Sequence, residues 1–122
     1  MPMIEFRYHR DKVSDAQAAN IGSMIEAALR ESILPLRPSK GEYGVTVEGD
    51  PFGPIAHKQP DLRIYIFYHA EWDFTKKELG QLLKSMHFQV NEILNGLKIS
   101  GIDTKIRFYA RHGHTSYYIH LT

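Results

Sequence analysis

One local pattern occurs twice in this chain, and it restricts the possible folds more than any other feature. Residues 4–8 alternate Ile4, Phe6 and Tyr8 against Glu5 and Arg7, and residues 62–68 alternate Leu62, Ile64, Ile66 and Tyr68 against Arg63, Tyr65 and Phe67. Period-two alternation marks a strand with one buried face. Both strands end in Tyr-His, at Tyr8-His9 and Tyr68-His69, and both lead through a short polar stretch into a capping box, Ser14-x-x-Gln17 and Thr75-x-x-Glu78. In such a box the hydroxyl accepts from a free N–H of the first helical turn while the Gln or Glu reaches back to the cap. Strand, turn, capped helix is therefore written twice.

The first helix is predicted over Asp15–Ser32, with Ala18, Ile21, Ile25, Ala28 and Leu29 on one side at helical spacing. The second is predicted over Lys76–Asn95, with the stripe Leu79, Leu82, Leu83, Met86, Val90, Ile93 and Leu94 and with Gly96 at the left-handed stop position. A strand follows each helix, at Tyr43–Glu48 and Thr104–Ala110, and a short strand at Tyr117–Leu121 closes the chain. The order β-α-β, β-α-β suits a ferredoxin-like fold or two self-contained β-α-β units. A ferredoxin-like fold needs a hairpin between the second and third strands, and hairpin loops usually hold about 2–5 residues. The segment Gly49–Pro60 is longer and carries three prolines, Pro51, Pro54 and Pro60. Two β-α-β units are expected, spanning about 2–48 and 61–111 around the loop 49–60. Their first strands join antiparallel into a four-stranded mixed α+β sheet with both helices on one face.

At 122 residues the chain makes a single domain, 1–122, and 43% apolar with 24% charged residues is ordinary for a soluble protein. A net charge of +1 makes nucleic acid an improbable dedicated partner. The absence of cysteine excludes disulfides, thiol catalysis and Cys-based zinc sites. No apolar run reaches the length of a membrane span, and Glu5, Arg7 and Arg10 do not suit a signal peptide, so a cytoplasmic location is expected.

With no thiol, phosphate loop or metal motif, Pro2 is the residue that stands out chemically. Once Met1 is removed, Pro2 carries a secondary amine able to act as a general base. Burial and neighbouring cations would favour its neutral form. In the expected topology the first strand begins at the edge where the strands 62–68 and 104–110 end. Pro2 then lies near Arg37 and Lys40, near Tyr68 and His69, and near Tyr109 and Arg111. Arg37, Lys40 and Arg111 could hold a substrate carboxylate, with Tyr68 beside them. His69 and Tyr109 could polarise a carbonyl or donate to an enolate oxygen. His112-Gly113-His114 with His120 could offer imidazoles to a metal, but no Cys or carboxylate completes a ligand spacing, and the segment reads as a turn. No metal or cofactor is expected.

On these residues the chain resembles the tautomerase superfamily, the group of 4-oxalocrotonate tautomerase and macrophage migration inhibitory factor. Its members have two β-α-β units and an amino-terminal proline. The 5-carboxymethyl-2-hydroxymuconate isomerases look nearest, through Met1-Pro2-Met3-Ile4, the apolar-Pro-Leu turn of Ile33-Leu34-Pro35-Leu36, and Gln59-Pro60-Asp61 before the third strand. The chain departs from them at the cap of the second helix, where Asp73 and Phe74 replace an arginine, and in the turn Ala70-Glu71-Trp72-Asp73. The resemblance implies an isomerase with Pro2 as base, acting on a small unsaturated or α-keto acid, and a homotrimer.

The second sheet face carries Glu5, Arg7, Thr46, Arg63, Tyr65, Phe67, Lys105, Arg107 and Tyr109. In a trimer it would line a barrel of three sheets, and the tail strand would suit a neighbour's exposed sheet edge. The alternative is a non-catalytic binding module on the same fold. Aromatics and arginines on an open sheet suit a protein or an RNA partner, although the RNP1 signature is missing.

Overall fold

The computed structural model describes residues 2–38, 45–53, 60–111 and 118–120, the last three for backbone alone. The elements are β1 (Met3–Tyr8), α1 (Asp15–Ile33), β2 (Thr46–Pro51), β3 (Leu62–His69), a 3-10 turn (Ala70–Trp72), α2 (Lys76–Gly96), β4 (Thr104–Arg111) and β5 (Tyr118–His120). They form one sheet in the order β2-β1-β3-β4-β5. β1 pairs parallel with β2 and antiparallel with β3, and β3 pairs parallel with β4. Two β-α-β units thus meet through their first strands.

Alternation decides what each face does. Ile4, Phe6, Tyr8, Leu62, Ile64, Ile66, Tyr68, Ile106, Phe108 and Ala110 are buried, and both helices cover that face with Ile21, Ile25, Leu29, Leu82, Met86 and Val90. Between the helices, the Ser32 and Ser85 hydroxyls share a hydrogen bond of 2.7 Å. The residues between the buried ones, from Glu5 and Arg7 to Arg107 and Tyr109, stay partly accessible on the open face. Both capping boxes form: Ser14 Oγ accepts from the Gln17 N–H at 3.1 Å, and Thr75 Oγ1 accepts from the Glu78 N–H at 3.1 Å.

Three expectations need correction. First, β2 lies at Thr46–Pro51, displaced towards the C-terminus from the predicted Tyr43–Glu48, and Tyr43 lies outside the described residues. Gly49, Asp50 and Pro51 read as loop by local propensity, but β1 offers its whole length for pairing, up to Tyr8 opposite Pro51. Pro51 is tolerated because β2 is an edge strand. Gly49 is required because a Cβ there would overlap the Phe6 ring.

Second, α2 does not stop in a left-handed glycine. Gly96 is helical, and the left-handed residue is Lys98, with φ 58°. The Lys98 N–H donates to the Asn95 carbonyl at 3.1 Å and the Ile99 N–H to that of Leu94 at 2.9 Å. This is a Schellman stop in which the buried Ile99 and Leu94 supply the usual apolar contact. Burial of Ile99 selects the register, and the lysine accepts the strain.

Third, β5 adds a fifth strand to the expected four, at the edge of the sheet, pairing antiparallel with β4 of its own chain, Tyr109 opposite His120 and Arg111 opposite Tyr118.

Candidate active site

The candidate residues gather at the end of the sheet where β1 begins and β3 and β4 finish. Pro2 is fully buried, and its carbonyl accepts from the Thr46 N–H at 3.1 Å, which extends the β1–β2 ladder by one residue. Met3 faces Phe67 in β3, so Pro2 falls level with Tyr68, and Tyr68 pairs with Ala110. In the next row outward, His69 pairs with Arg111, and in the row inward Phe67 pairs with Tyr109.

The candidates share one end of the sheet but not one face. Alternation sends the Pro2 ring and the Tyr68 side chain towards the helices, both buried. His69, Tyr109 and Arg111 belong to the open face and are partly accessible. There Tyr109 stacks on Phe67, with ring centroids 5.3 Å apart and planes 19° from parallel, and meets Tyr65 edge-on, also at 5.3 Å. A backbone nitrogen lies in the plane of the sheet rather than along a side-chain direction.

Behind this end sits an aromatic cluster. Tyr68 meets Phe74 edge-on at 5.3 Å, Phe74 meets Trp72 at 6.1 Å, and the His69 ring lies 5.5 Å from that of Trp72. Burial raises the Tyr68 phenol above its ordinary value.

Arg37 does something different from what its sequence position suggests. Its Nε donates to the Trp72 carbonyl at 3.0 Å, and Nη1 donates to the Leu36 carbonyl at 2.7 Å and to Glu78 Oε2 at 2.8 Å. Nη2 donates to the Asp73 carbonyl and to Glu78 Oε1, both at 3.1 Å. A guanidinium has five N–H donors, and all five are engaged. The group also lies 5.0 Å from the centre of the Phe74 ring. Its hydrogen bond to Glu78, before any other cause, raises the Arg37 value and lowers that of Glu78. Arg37 has no donor left for a substrate carboxylate. Arg111, by contrast, makes no ion pair among the described residues. Lys40, His112 and His114 lie outside the described residues. Among the described residues no three His, Cys, Asp or Glu side chains group as a metal site would require.

The sequence reading missed the Trp72–Phe74 cluster. The signal was present, since Trp72 and Phe74 bracket Asp73, which adopts a left-handed conformation at φ 52° and ψ 51° and turns both rings inward. A separate cavity of about 320 Å³ opens between α1 and the far half of β1 and β2, lined in part by Phe6, Tyr8, Asp15 and Val47. It contains none of the candidate residues.

Comparison with known structures identifies the fold. The chain matches Leishmania major MIF2 at 16% identity and TM-score 0.59, over 91% of this chain and 89% of that one. It matches a 5-carboxymethyl-2-hydroxymuconate delta-isomerase at 13% identity and TM-score 0.58, over 96% and 85%. It matches a malonate semialdehyde decarboxylase, described with decarboxylase and hydratase activities, at 12% identity and TM-score 0.52, over 94% and 89%. No protein-family model and no curated protein sequence matches the chain. At these identities the likeness is one of fold, and the chain has a MIF-like fold.

Proposed function

We propose that the protein is a tautomerase-type isomerase in which Pro2, freed by removal of Met1, is the general base. The observation that carries this reading is the position of Pro2: buried, immediately before β1, and level with the ends of β3 and β4. A buried amine is favoured in its neutral, proton-accepting form. The amine takes a proton from the carbon next to the carbonyl of a small unsaturated or α-keto acid and returns it elsewhere, shifting the double bond. Arg111 holds the substrate carboxylate, since Arg37 is fully engaged. His69 or Tyr109 donates to the enolate oxygen, and the Tyr68 hydroxyl borders the site. The working assembly is a homotrimer.

Enol–keto conversion of phenylpyruvate, followed by ultraviolet absorbance for the wild type and for Pro2→Ala, tests the base. The expected loss is at least about 100-fold, the lower range for a positioned acid or base; equal rates in the two proteins would refute it. Intact-mass measurement of the natively produced protein is expected to show loss of one methionine. Arg111→Gln is expected to raise KM, and light scattering reads the oligomer.

A second reading rests on a separate observation. Tyr65, Phe67 and Tyr109 form a continuous aromatic patch, and Arg63 lies 4.7 Å from the Tyr65 ring centre. Bases of single-stranded RNA can stack on such a surface. A salt-sensitive interaction of the monomer with a fluorescent single-stranded RNA, lost in Tyr65→Ala and Phe67→Ala, would favour a non-catalytic binding module.

A further inference from the structure

We propose that Arg37 is a positioning residue: through the carbonyls of Trp72 and Asp73 it holds the turn that seats the His69 imidazole at the end of the sheet. The inference deepens the isomerase reading and rests on it. It starts from the donor count. Arg37 follows α1, yet four of its five hydrogen bonds go to the turn and helix start that follow β3: the carbonyls of Trp72 and Asp73 and both oxygens of Glu78. The fifth goes to the carbonyl of its own neighbour, Leu36. Three of the five bonds fix backbone carbonyls, and the other two hold the carboxylate that caps α2.

The backbone it fixes is strained. Asp73 is left-handed without being glycine, and such residues persist where their surroundings over-determine them. Here the Asp73 carbonyl is held by Arg37 and its N–H donates to the Ala70 carbonyl at 3.0 Å. The 3-10 turn Ala70–Trp72 connects the strained residue directly to His69. Trp72 is the physical link: its carbonyl accepts from Arg37, its ring is buried, and that ring lies 5.5 Å from the His69 imidazole. Glu78 completes the frame. The carboxylate that grips the guanidinium also accepts from the Thr75 N–H at 3.0 Å, so the clamp and the α2 cap share one side chain. Release of the guanidinium would leave the carbonyls of Leu36, Trp72 and Asp73 without that donor and Glu78 with only its bond from the Thr75 N–H, and the turn would relax away from its present geometry.

The test separates positioning from substrate binding. Arg37→Lys keeps the charge but cannot satisfy five acceptors. The expected result is a fall in kcat of about 100-fold, the scale of a misplacement of roughly 1 Å, with KM within about two-fold. A changed pH–rate profile is expected alongside it. The opposite pattern, with KM raised for phenylpyruvate, kcat unchanged, and kcat/KM for its uncharged methyl ester unaffected, would overturn the proposal and return Arg37 to carboxylate binding. A second arm needs no activity. In side-chain nuclear magnetic resonance spectra of the whole protein, Arg37→Lys is expected to move the His69 and Trp72 ring signals and to leave those of His9 in place. Unchanged His69 signals would overturn the proposal, whereas absence of enol–keto activity in the wild type would overturn only the isomerase reading. If Arg37→Lys does not fold, Glu78→Gln takes its place in the spectroscopic arm with the same expected and overturning outcomes.

Discussion

After β1 the chain passes through Tyr8-His9 to the Ser14 box; after β3 it passes through Tyr68-His69 to the Thr75 box. In the first turn the Tyr8 hydroxyl donates to Asp15 at 2.7 Å, and Arg10, whose side chain is 65% exposed, adds a bond of 3.1 Å to the same oxygen. In the second, the arginine and its carboxylate are only 28% and 20% exposed, and the pair is joined to three carbonyls and a buried aromatic cluster. Identical local signals thus lead to a surface polar contact in one half and to an internal clamp in the other. Capping boxes start helices; what surrounds the box decides whether the turn is rigid.

Matched substitutions in the two halves should have unequal effects. Trp72→Ala is expected to cost about 3–5 kcal/mol, as for a buried aromatic, whereas Phe52→Ala, which removes the half-buried ring packed 4.7 Å from His9, costs clearly less. Equal losses in denaturant titrations would break the comparison. Gly49→Ala is expected to cost about 1–3 kcal/mol through overpacking against Phe6, a liability peculiar to the first half and readable as a fall in Tm. Ser14→Ala and Thr75→Ala should each cost about 1 kcal/mol. Combined with Arg37→Lys, Ser14→Ala should be additive and Thr75→Ala should not, because Glu78 serves both clamp and cap.

The smallest expected effect is with pH. The Glu78 carboxyl is held below its ordinary value first by the Arg37 hydrogen bond, and Asp15 first by the Tyr8 hydroxyl and then by Arg10. Depressed carboxyl values give stability that is complete above the ordinary carboxylate range of about 4 and is lost as pH falls through the native values. Glu78→Gln should flatten the acid limb of a Tm–pH profile more than Asp15→Asn does.

Much of this architecture is readable without coordinates, for a definite reason. Both capping boxes, the buried stripe of α1 from Ala18 to Leu29, and the alternation of β1 and β3 depend on residues close in sequence. Features fixed by distant partners were not readable. β2 extends through Gly49 and Pro51 because β1 lies beside it, Lys98 rather than Gly96 turns left-handed because Ile99 must be buried, and β5 returns to its own sheet. Arg37 is the sharpest case. A cation following a helix suggests a free anion binder, and only the fold brings the carbonyls of Trp72 and Asp73 to it.

The five-fold engagement of Arg37 also bears on whether either half could exist alone. Residues 60–111 contain two β-strands, a helix and most of an aromatic cluster, the raw material of an autonomous unit. Yet two of their backbone carbonyls and one carboxylate draw their donors from a side chain that the first half supplies. The two units resemble a duplicated module, but by hydrogen bonding they are interdependent, and a fragment cut at the loop between them would separate donor from acceptors at the turn that seats His69.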